Sequence, residues 1–192
     1  MIEWLEHIDQ ELLLLINGWH SPLFDFICWN LSKAISLVPF YVITLYFLIK
    51  DYSLKKSLML LGFMIVTLSI TDIVSTQVFK EGVKRYRPSH HMTIGPKIHL
   101  YEERPGEFYR GGQYGFFSSH AANLAGFICF IYPWFIEKRR YWNYMLLGIG
   151  ILVCYSRMYL GVHYPSDILV GILFGALVGW SIRVISKKFV SL

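Results

Sequence analysis

The chain has 192 residues, enough for one domain or at most two small ones. Apolar residues make up 55% of it and charged residues only 16%, against about 25% in ordinary soluble domains, which excludes a soluble globular protein. The net charge of +5 would elsewhere suggest nucleic acid as a partner, but in a chain this apolar we attribute it to membrane topology and an anionic substrate. No nucleic acid is therefore expected.

The N-terminal segment, residues 1–20, carries acidic residues but no Lys or Arg, so it lacks the positively charged start of a cleavable signal peptide. Its apolar residues recur at helical spacing, which predicts an amphipathic helix lying at the membrane surface. A sixth span across the bilayer is the alternative for this segment. The apolar residues concerned are Ile2, Leu5, Ile8, Leu12, Leu15 and Ile16.

Five long stretches nearly free of charge follow the N-terminal segment. A helix needs about 20 residues to cross the hydrocarbon core of a bilayer, with a range of roughly 17–25. The sequence therefore predicts an all-α fold, a polytopic membrane helix bundle with five to six transmembrane helices, as a single domain over residues 1–192. The predicted spans are 24–49 with a bend near Pro39, 57–79, 116–136, 143–160 and 167–186.

The distribution of Lys and Arg over the short loops predicts the orientation of the bundle. With five spans, the loops 50–56 and 137–142 and the tail after residue 182 meet on one side, with nine basic residues and two acidic ones. Short loops rich in Lys and Arg stay in the cytoplasm. The N-terminal segment, the 80–118 loop and the 161–166 turn are then on the outer face. We expect a bacterial cytoplasmic membrane, with this face towards the periplasm.

Three polar clusters stand at the outer ends of apolar segments, and the first is KEGVKRYRP at residues 80–88. Lys80 and Arg87 are seven residues apart, almost two helical turns, so a helix would project both from one face before Pro88 stops it. Two fixed cations at the hydrocarbon edge suit a phosphate, to which Arg offers a planar fork and Lys a point charge. A basic patch that touches lipid head groups is the alternative.

The second cluster, GFFSSHAAN at residues 115–123, opens the third span. Ser118 and Ser119 lie at the predicted N-cap of its helix, where free backbone N–H groups and the helix dipole attract an anion. His120, in the first turn, is placed to give a proton to a leaving oxygen. A capped helix with an interfacial histidine is the alternative interpretation.

The third cluster is SRMYLGVHYPSD at residues 156–167. Arg157 supplies a third cation, and Gly161 permits a tight turn. His163 and Asp167 are four residues apart at the start of the last span. A carboxylate that accepts the N–H of one imidazole nitrogen leaves the other as a lone pair, which suits a nucleophile or base. Ionisable groups at a membrane edge are functional by default, although a His–Asp pair is often only structural.

In order and spacing, the three clusters resemble the signature motifs of the type 2 phosphatidic acid phosphatase family, which is related to the vanadium haloperoxidases. The family patterns are Lys-x6-Arg-Pro, Pro-Ser-Gly-His and Ser-Arg-x5-His-x3-Asp. The first and third match in full, whereas the second departs with Phe117 in place of Pro and Ser119 in place of Gly. The resemblance covers roughly residues 55–190. The matching residues are Lys80, Arg87, Pro88, Ser118, His120, Ser156, Arg157, His163 and Asp167.

This resemblance implies a phosphohydrolase that works through a phosphohistidine and needs no metal or other cofactor. His163 would attack phosphorus, Asp167 would orient it, and His120 would protonate the leaving oxygen. Cationic side chains and backbone N–H groups would stabilise the charge of the transition state. The phosphate-binding residues would be Lys80, Arg87, Ser118, Ser119 and Arg157.

The loop at residues 89–115 has no sustained periodicity, and loops of this length are usually functional. We expect a lid or binding loop that helps to select the head group, with plain flexibility as the alternative. Its histidines, His90, His91 and His99, lack the spacing of metal ligands, so no metal site is expected. The three cysteines, which fall in apolar segments, are expected to be buried and unpaired.

Catalytic groups at the level of the head groups suit a substrate that diffuses laterally in the bilayer, so the expected partner is a membrane lipid phosphate. The resemblance implies four candidates: a polyprenyl diphosphate, phosphatidylglycerol phosphate, phosphatidic acid and the phosphate of lipid A. Three alternatives stay open. They are phosphate transfer to an acceptor other than water, a haloperoxidase that binds vanadate, and a non-catalytic lipid carrier. The oligomeric state is not predicted.

Overall fold

A computed structural model describes residues 2–190; Met1, Ser191, Leu192 and the side chain of Ile2 lie outside the described part. The helices are α1 (Ile2–Gly18), α2 (Pro22–Ser32), α3 (Val38–Asp51), α4 (Leu54–Ile73), α5 (Glu81–Val83), α6 (Ser119–Phe135), α7 (Arg140–Tyr159) and α8 (Pro165–Ser186). Two short strands, β1 (Glu102–Arg104) and β2 (Glu107–Phe108), pair antiparallel in the loop between α5 and α6.

The N-terminal helix α1 is present, and it docks on the protein through a stripe that is partly polar. Asp9, Leu13 and Asn17, four residues apart, are buried. Apolar residues of the predicted face, such as Leu5 and Leu12, stay exposed. One face of α1 therefore packs on the rest of the protein, and an apolar face remains exposed to lipid.

The first predicted span, 24–49, is not one helix. The helix α2 ends at Ser32, a 3₁₀ turn covers Ala34–Leu37, and α3 begins at Val38. Pro39 stands in the first turn of α3, where its missing N–H would have no helical partner anyway. The bend predicted near Pro39 is therefore present, as a break between two helices just before the proline.

The second predicted span extends further than expected. The helix α4 continues through a π-helical turn at Val74–Lys80 into α5, so that Leu54–Val83 forms 30 residues of nearly continuous helix. Lys84 then takes a left-handed conformation with a φ of 51°. The helix therefore ends before Arg87, and the prediction that Lys80 and Arg87 project from one helical face is wrong. Tertiary contacts, described below, bring Arg87 back to the site.

Three helical segments within residues 2–190 are long and apolar enough to cross a bilayer: Ala34–Asp51, Leu54–Val83 and Pro165–Ser186. The helices α6 and α7, with 17 and 20 residues, occupy the other two predicted spans. At the usual rise per residue they are roughly 26 and 30 Å long, close to the thickness of the hydrocarbon core. The protein is a helical integral membrane protein, and the count of five to six crossings stays a prediction.

The helices α6 and α8 run parallel and form the most extensive helix–helix contact of the described residues. Glycine at every fourth position of α8 lets the two backbones touch. A Cβ on Gly175 would lie 2.8 Å from the carbonyl carbon of Ala122, and one on Gly179 would lie 3.0 Å from that of Gly126. Because the contact is parallel, both helices begin on the side predicted to be the outer face.

The opposite ends of the helices close around an aromatic core. Arg139 donates two hydrogen bonds to the carboxylate of Asp51, at 2.9 and 2.8 Å, and so links the α6–α7 loop to the end of α3. The hydroxyl of Tyr52 donates to the carbonyl of Trp134. These contacts fix the positions of α3, α6 and α7 relative to one another along the helix axes. The buried core residues here include Leu48, Leu60, Phe127, Phe130, Trp134, Phe135 and Trp142.

The loop between α5 and α6 is folded onto the outer ends of the helices. Tyr86 and Tyr114 form an isolated antiparallel bridge, which brings the two ends of the loop together. Ser89 donates its N–H to the carbonyl of Gly161 at 3.0 Å, and so ties the loop to the α7–α8 turn. Instead of lacking regular structure, the loop contains the β1–β2 hairpin and two 3₁₀ turns, Pro88–His90 and Gly95–Lys97.

Candidate active site

The site lies where the N-termini of α6 and α8 meet. Ser118 is the N-cap of α6, as predicted, and its Oγ accepts the N–H of Ala121 at 3.5 Å. Its own N–H donates to the backbone carbonyl of Asp167 at 3.1 Å, which joins the two helix starts. Each helix N-terminus carries partial positive charge, so two helix dipoles converge on this place.

His163 occupies the turn before α8 and is almost completely buried. An Arg87 Nη1 lies 3.0 Å from its Nε2. Because a guanidinium can only donate, Nε2 holds the lone pair and the ring proton is on Nδ1. Nδ1 faces Oδ2 of Asp167 at 3.5 Å, an ion-pair distance that is too long for a good hydrogen bond. The predicted residues therefore lie side by side, but the predicted hydrogen bond from Nδ1 to the carboxylate is not made, and the lone pair of Nε2 accepts from Arg87.

The electrostatic surroundings keep this imidazole neutral. Burial lowers the pKa of His163 well below its usual value, and the positive charges of Arg87, Arg157 and Lys80 lower it further. Three predicted cations are thus close enough to act on one ring. An uncharged imidazole among cations is the protonation state that a nucleophile needs when its target is an anion.

Arg87 reaches the site from the loop and is held by backbone carbonyls. Its Nε donates to the carbonyl of Tyr114 at 3.2 Å, and its Nη1 donates to that of Val162 at 3.0 Å. Burial and the neighbouring charge of Arg157 lower the pKa of Arg87 to about 10. The side chain still carries its charge at neutral pH, and its fork is pre-oriented beside His163.

Lys80 and Ser119 form a second part of the site. The Nζ of Lys80 donates to Oγ of Ser119 at 2.6 Å, and the hydroxyl of Ser75 donates to the same oxygen at 2.8 Å. The family pattern has Gly at the position of Ser119. Here Ser119, at the start of α6, binds Lys80, which belongs to the π-helical turn after α4.

His120 and Arg157 meet at one carbonyl. The backbone oxygen of Ser32, at the end of α2, accepts from Nε2 of His120 at 3.0 Å and from Nη1 of Arg157 at 3.5 Å. Since a carbonyl only accepts, Nε2 of His120 is protonated and Nδ1 holds the lone pair when the ring is neutral. Arg157 also donates to the hydroxyl of Tyr109 at 3.1 Å, while its Nε has no partner among residues 2–190.

Asp167 is held by more partners than the sequence suggested. Its Oδ2 accepts the N–H of Tyr164 at 3.0 Å, which forms a capping box for α8. Its Oδ1 accepts from Nη1 of Arg85 at 2.8 Å, and Nη2 of the same arginine donates to Asp9 on α1 at 2.7 Å.

Sequence reasoning missed both Arg85 and Asp9. Arg85 was visible only as one more charge in a basic run, and Asp9 as one more acid on an amphipathic helix. No local pattern relates two residues 76 positions apart in the chain. The only available signal was the position of Asp9, four residues from Leu5 and from Leu13 along the helix.

The loop histidines have other partners. His99 Nε2 lies 3.0 Å from both carboxylate oxygens of Asp25, and its ring stacks on His20 at 3.9 Å between centroids. His90 lies 3.3 Å from the carbonyl of Gly111. Within residues 2–190, no group of three or more His, Cys, Asp or Glu side chains is arranged to hold a metal ion.

Comparisons with known proteins place this chain in a family. The sequence profile of the PAP2 superfamily matches residues 57–191. A lipid A 4′-phosphatase of Bacteroides thetaiotaomicron is 33% identical over 189 residues, which are 98% of this chain and 81% of the relative. Another from Porphyromonas gingivalis is 32% identical and covers 93% of this chain and 72% of the relative. A phosphatidylglycerophosphatase B of Bacillus subtilis is 26% identical, covering 95% and 83%.

Solved structures agree on the fold. The crystal structure of a transmembrane PAP2-type phosphatidylglycerolphosphate phosphatase from Bacillus subtilis superposes with a TM-score of 0.70 at 20% identity, covering 96% of this chain and 87% of that one. The crystal structure of Aquifex aeolicus LpxE superposes with a TM-score of 0.60 at 23% identity and covers 93% of each chain. The family resemblance of the three sequence clusters is thus confirmed, and the chain belongs to the PAP2 superfamily as a membrane-embedded phosphatase.

Proposed function

We propose that the protein hydrolyses a phosphate group of a membrane lipid on the outer face of the bacterial cytoplasmic membrane, through a phosphohistidine and without a metal. The observation that carries this proposal is the buried His163, whose Nε2 faces Arg87 while its Nδ1 faces Asp167. A neutral ring whose lone pair points at a cation fits nucleophilic attack on a phosphate that the same cation binds.

The phosphate takes the place where Arg87 now meets His163. Lys80, Arg87 and Arg157 bind its oxygens, and the helix N-termini at Ser118 add backbone dipoles. Arg157 has a free Nε for this purpose within the described part of the chain. Charge that develops on the equatorial oxygens is stabilised by groups already in place, so little reorganisation is needed in the transition state.

In the first step, Nε2 of His163 forms a bond to phosphorus and the bond from phosphorus to the ester oxygen breaks. Asp167 stabilises the positive charge that the ring acquires, because its carboxylate faces the Nδ1–H. The leaving alkoxide takes a proton from His120. Since Nε2 of His120 donates to Ser32, the proton would come from Nδ1, which gains it once the negative charge of the bound phosphate favours the doubly protonated ring.

In the second step, water attacks phosphorus and the bond to His163 breaks. His120, now neutral with a lone pair on Nδ1, takes the proton from the attacking water. The products are inorganic phosphate, the free lipid alcohol and the two histidines in their starting states. Every proton is accounted for by the two rings and the water, so no metal-bound hydroxide is required.

The substrate that we propose to test first is the phosphate of a lipid A-type glycolipid. The two relatives that exceed 30% identity are both named lipid A 4′-phosphatase. The relative named phosphatidylglycerophosphatase B keeps phosphatidylglycerol phosphate as the second candidate. Helix N-termini at the membrane edge suit either lipid, because both present a phosphate at head-group depth.

The test is phosphate release by the purified protein in detergent, in the presence of EDTA, from lipid A, phosphatidylglycerol phosphate, phosphatidic acid and undecaprenyl diphosphate. We expect turnover that EDTA does not inhibit and that His163→Ala abolishes. His7→Ala is the matched control, because that histidine is exposed on α1 and pairs only with Glu11 within the described residues. Loss of all turnover in EDTA, or equal turnover by His163→Ala, would refute the proposal. No release from any lipid would favour the carrier alternative, and phosphate found on an added alcohol would favour the phosphotransferase.

A further inference from the structure

Arg85 joins three elements at the start of α8. Its Nη1 donates to Oδ1 of Asp167 and to the hydroxyl of Ser166, both at 2.8 Å, and its Nη2 donates to Oδ2 of Asp9 at 2.7 Å. The guanidinium also lies over the ring of Tyr164, 4.1 Å from its centroid. Stacking on Tyr164 and hydrogen bonds from both Nη atoms fix the plane of the guanidinium. A lysine ammonium has no plane to fix in this way.

Asp9 completes the arrangement from α1. Its Oδ1 accepts the backbone N–H of Ser166 at 2.9 Å, and its Oδ2 accepts the hydroxyl of the same serine. The carboxylate thus caps the N-terminus of α8 from another helix, where negative charge is favourable. Leu13 and Asn17, on the same face of α1, also hold this helix in place. Leu13 is buried, and Asn17 donates to the carbonyl of Tyr159 at 2.7 Å.

These contacts constrain Asp167 on the side away from His163. Oδ1 is bound by Arg85, so Oδ2 is the oxygen that remains for the capping N–H of Tyr164 and for the ring of His163. A carboxylate bound at only one oxygen could rotate. With Arg85 fixed by Asp9, rotation about the last bond of Asp167 breaks a buried ion pair, which is strongly unfavourable.

We infer that Arg85 and Asp9 are positioning residues that hold Asp167 towards His163, so that the N-terminal helix α1 is part of the catalytic apparatus. This role rests on the proposed phosphohistidine reaction. Neither residue touches the phosphate. They act through Asp167: Arg85 favours its ionised form and holds its orientation, and Asp9 holds Arg85, while the imidazole gains and loses positive charge.

The charges around Asp167 predict a signature in the pH profile. Arg85 is its nearest counter-charge, and the other ionisable groups facing this region are Asp9, His163, Tyr164, Arg87 and Lys80. Removing a directly bonded cation disfavours the ionised carboxylate, so Arg85→Gln should move the acid limb of kcat/KM to higher pH by about one unit or more. Asp9→Asn removes a negative charge and should move the limb to lower pH or leave it in place.

The experiment measures kcat, KM and their pH dependence for Arg85→Gln, Arg85→Lys and Asp9→Asn, with the best lipid phosphate and with p-nitrophenyl phosphate. We expect Arg85→Gln to lower kcat by about 10- to 100-fold with little change in KM. Residues that orient a reacting group without touching the substrate have effects of this size. Arg85→Lys should restore less than the full rate, since it can hold only one carboxylate. Asp9→Asn should lower kcat about tenfold.

Two matched variants separate positioning from general damage. Arg104→Gln removes an exposed arginine of the same loop, and Glu11→Gln removes an exposed acid of the same helix. Thermal melting of every variant reports folding. Wild-type kcat in folded Arg85→Gln and Asp9→Asn, with an unmoved acid limb in Arg85→Gln, would overturn the inference. If Arg85→Gln does not fold, wild-type kcat in both Asp9→Asn and Arg85→Lys overturns it. Turnover of p-nitrophenyl phosphate but of no lipid would count against the proposed substrate class and leave this test intact.

Discussion

Gly175 offers a direct test of how the fold sets the geometry of the site. Replacing it with Ala places a Cβ 2.8 Å from the carbonyl carbon of Ala122 and closer still to its oxygen, in the contact between α6 and α8. Ordinary carbon contacts need about 3.5–4.0 Å, so the helices must separate by roughly 1 Å. The obstacle is backbone and cannot rotate away.

The expected cost follows from that separation. Overpacking of this kind destabilises a protein by about 1–3 kcal/mol, and a displacement of about 1 Å between catalytic groups lowers the rate by about 10²-fold. Ser118 and His120 are on α6, whereas His163 and Asp167 precede or begin α8. Gly175→Ala should therefore lower both the melting temperature and kcat, although the residue lies well away from the reacting atoms along α8.

Gly148→Ala is the matched control. Gly148 is on α7, and a Cβ there would meet nothing within 4 Å. The same chemical change should stabilise the protein by about 0.5–1 kcal/mol through lower backbone entropy in the unfolded chain, with kcat unchanged. Thermal melting and phosphate release are measured for both variants in one detergent. Equal effects of the two substitutions, or full activity in Gly175→Ala, would refute the reasoning.

Three further predictions follow from the site and the topology. Arg87→Lys should lower kcat/KM by about 100-fold, because Lys cannot keep the bonds to two carbonyls and the contact with His163 together. Steady-state kinetics will check it beside Arg104→Lys, a change of an exposed arginine in the same loop. Since the pKa of His163 is lowered on folding, the unfolded chain binds more protons at this residue below pH 6.5, and the residue should lower stability by up to about 1.4 kcal/mol per pH unit below that value. Melting curves of His163→Gln should therefore show a smaller loss of stability as the pH falls. The orientation in the membrane can be tested in spheroplasts with a protein whose three cysteines have been replaced. A single cysteine at Glu103 should react with an impermeant maleimide, and one at Lys187 should react only after lysis. The reverse pattern would place the site in the cytoplasm.

The proposed catalytic residues could be predicted from the sequence where their types and spacing obey short-range rules. His163 and Asp167, four apart at a helix start, come together as expected, and Ser118 caps its helix. Arg87 also reaches the site, although the predicted reason was wrong. The helix ends before it, and a fold-back of the loop through the Tyr86–Tyr114 bridge brings it to His163. Helical spacing cannot reveal such a fold-back.

The remaining differences come from contacts between distant parts of the chain. The first predicted span breaks where α2 ends. The carbonyl of Ser32, at that end, accepts hydrogen bonds from His120 and Arg157, which are far along the chain. Hydropathy averaged over a window does not register a short turn between apolar helices. The link from Asp9 to Arg85 has the same character, because an ion pair across 76 residues leaves no periodic trace.

The most direct test of the account is to trap the phosphorylated enzyme. Wild type and His120→Ala are mixed with a lipid phosphate or with p-nitrophenyl phosphate, quenched in alkali during turnover, and mapped by mass spectrometry. We expect the phosphoryl group on His163 in the wild type. With p-nitrophenyl phosphate, whose leaving group needs no acid, we expect more of it in His120→Ala, because only the second step then lacks its base. Steady turnover with no phosphoryl group on the protein, or with the group on another residue, would contradict the central role of His163.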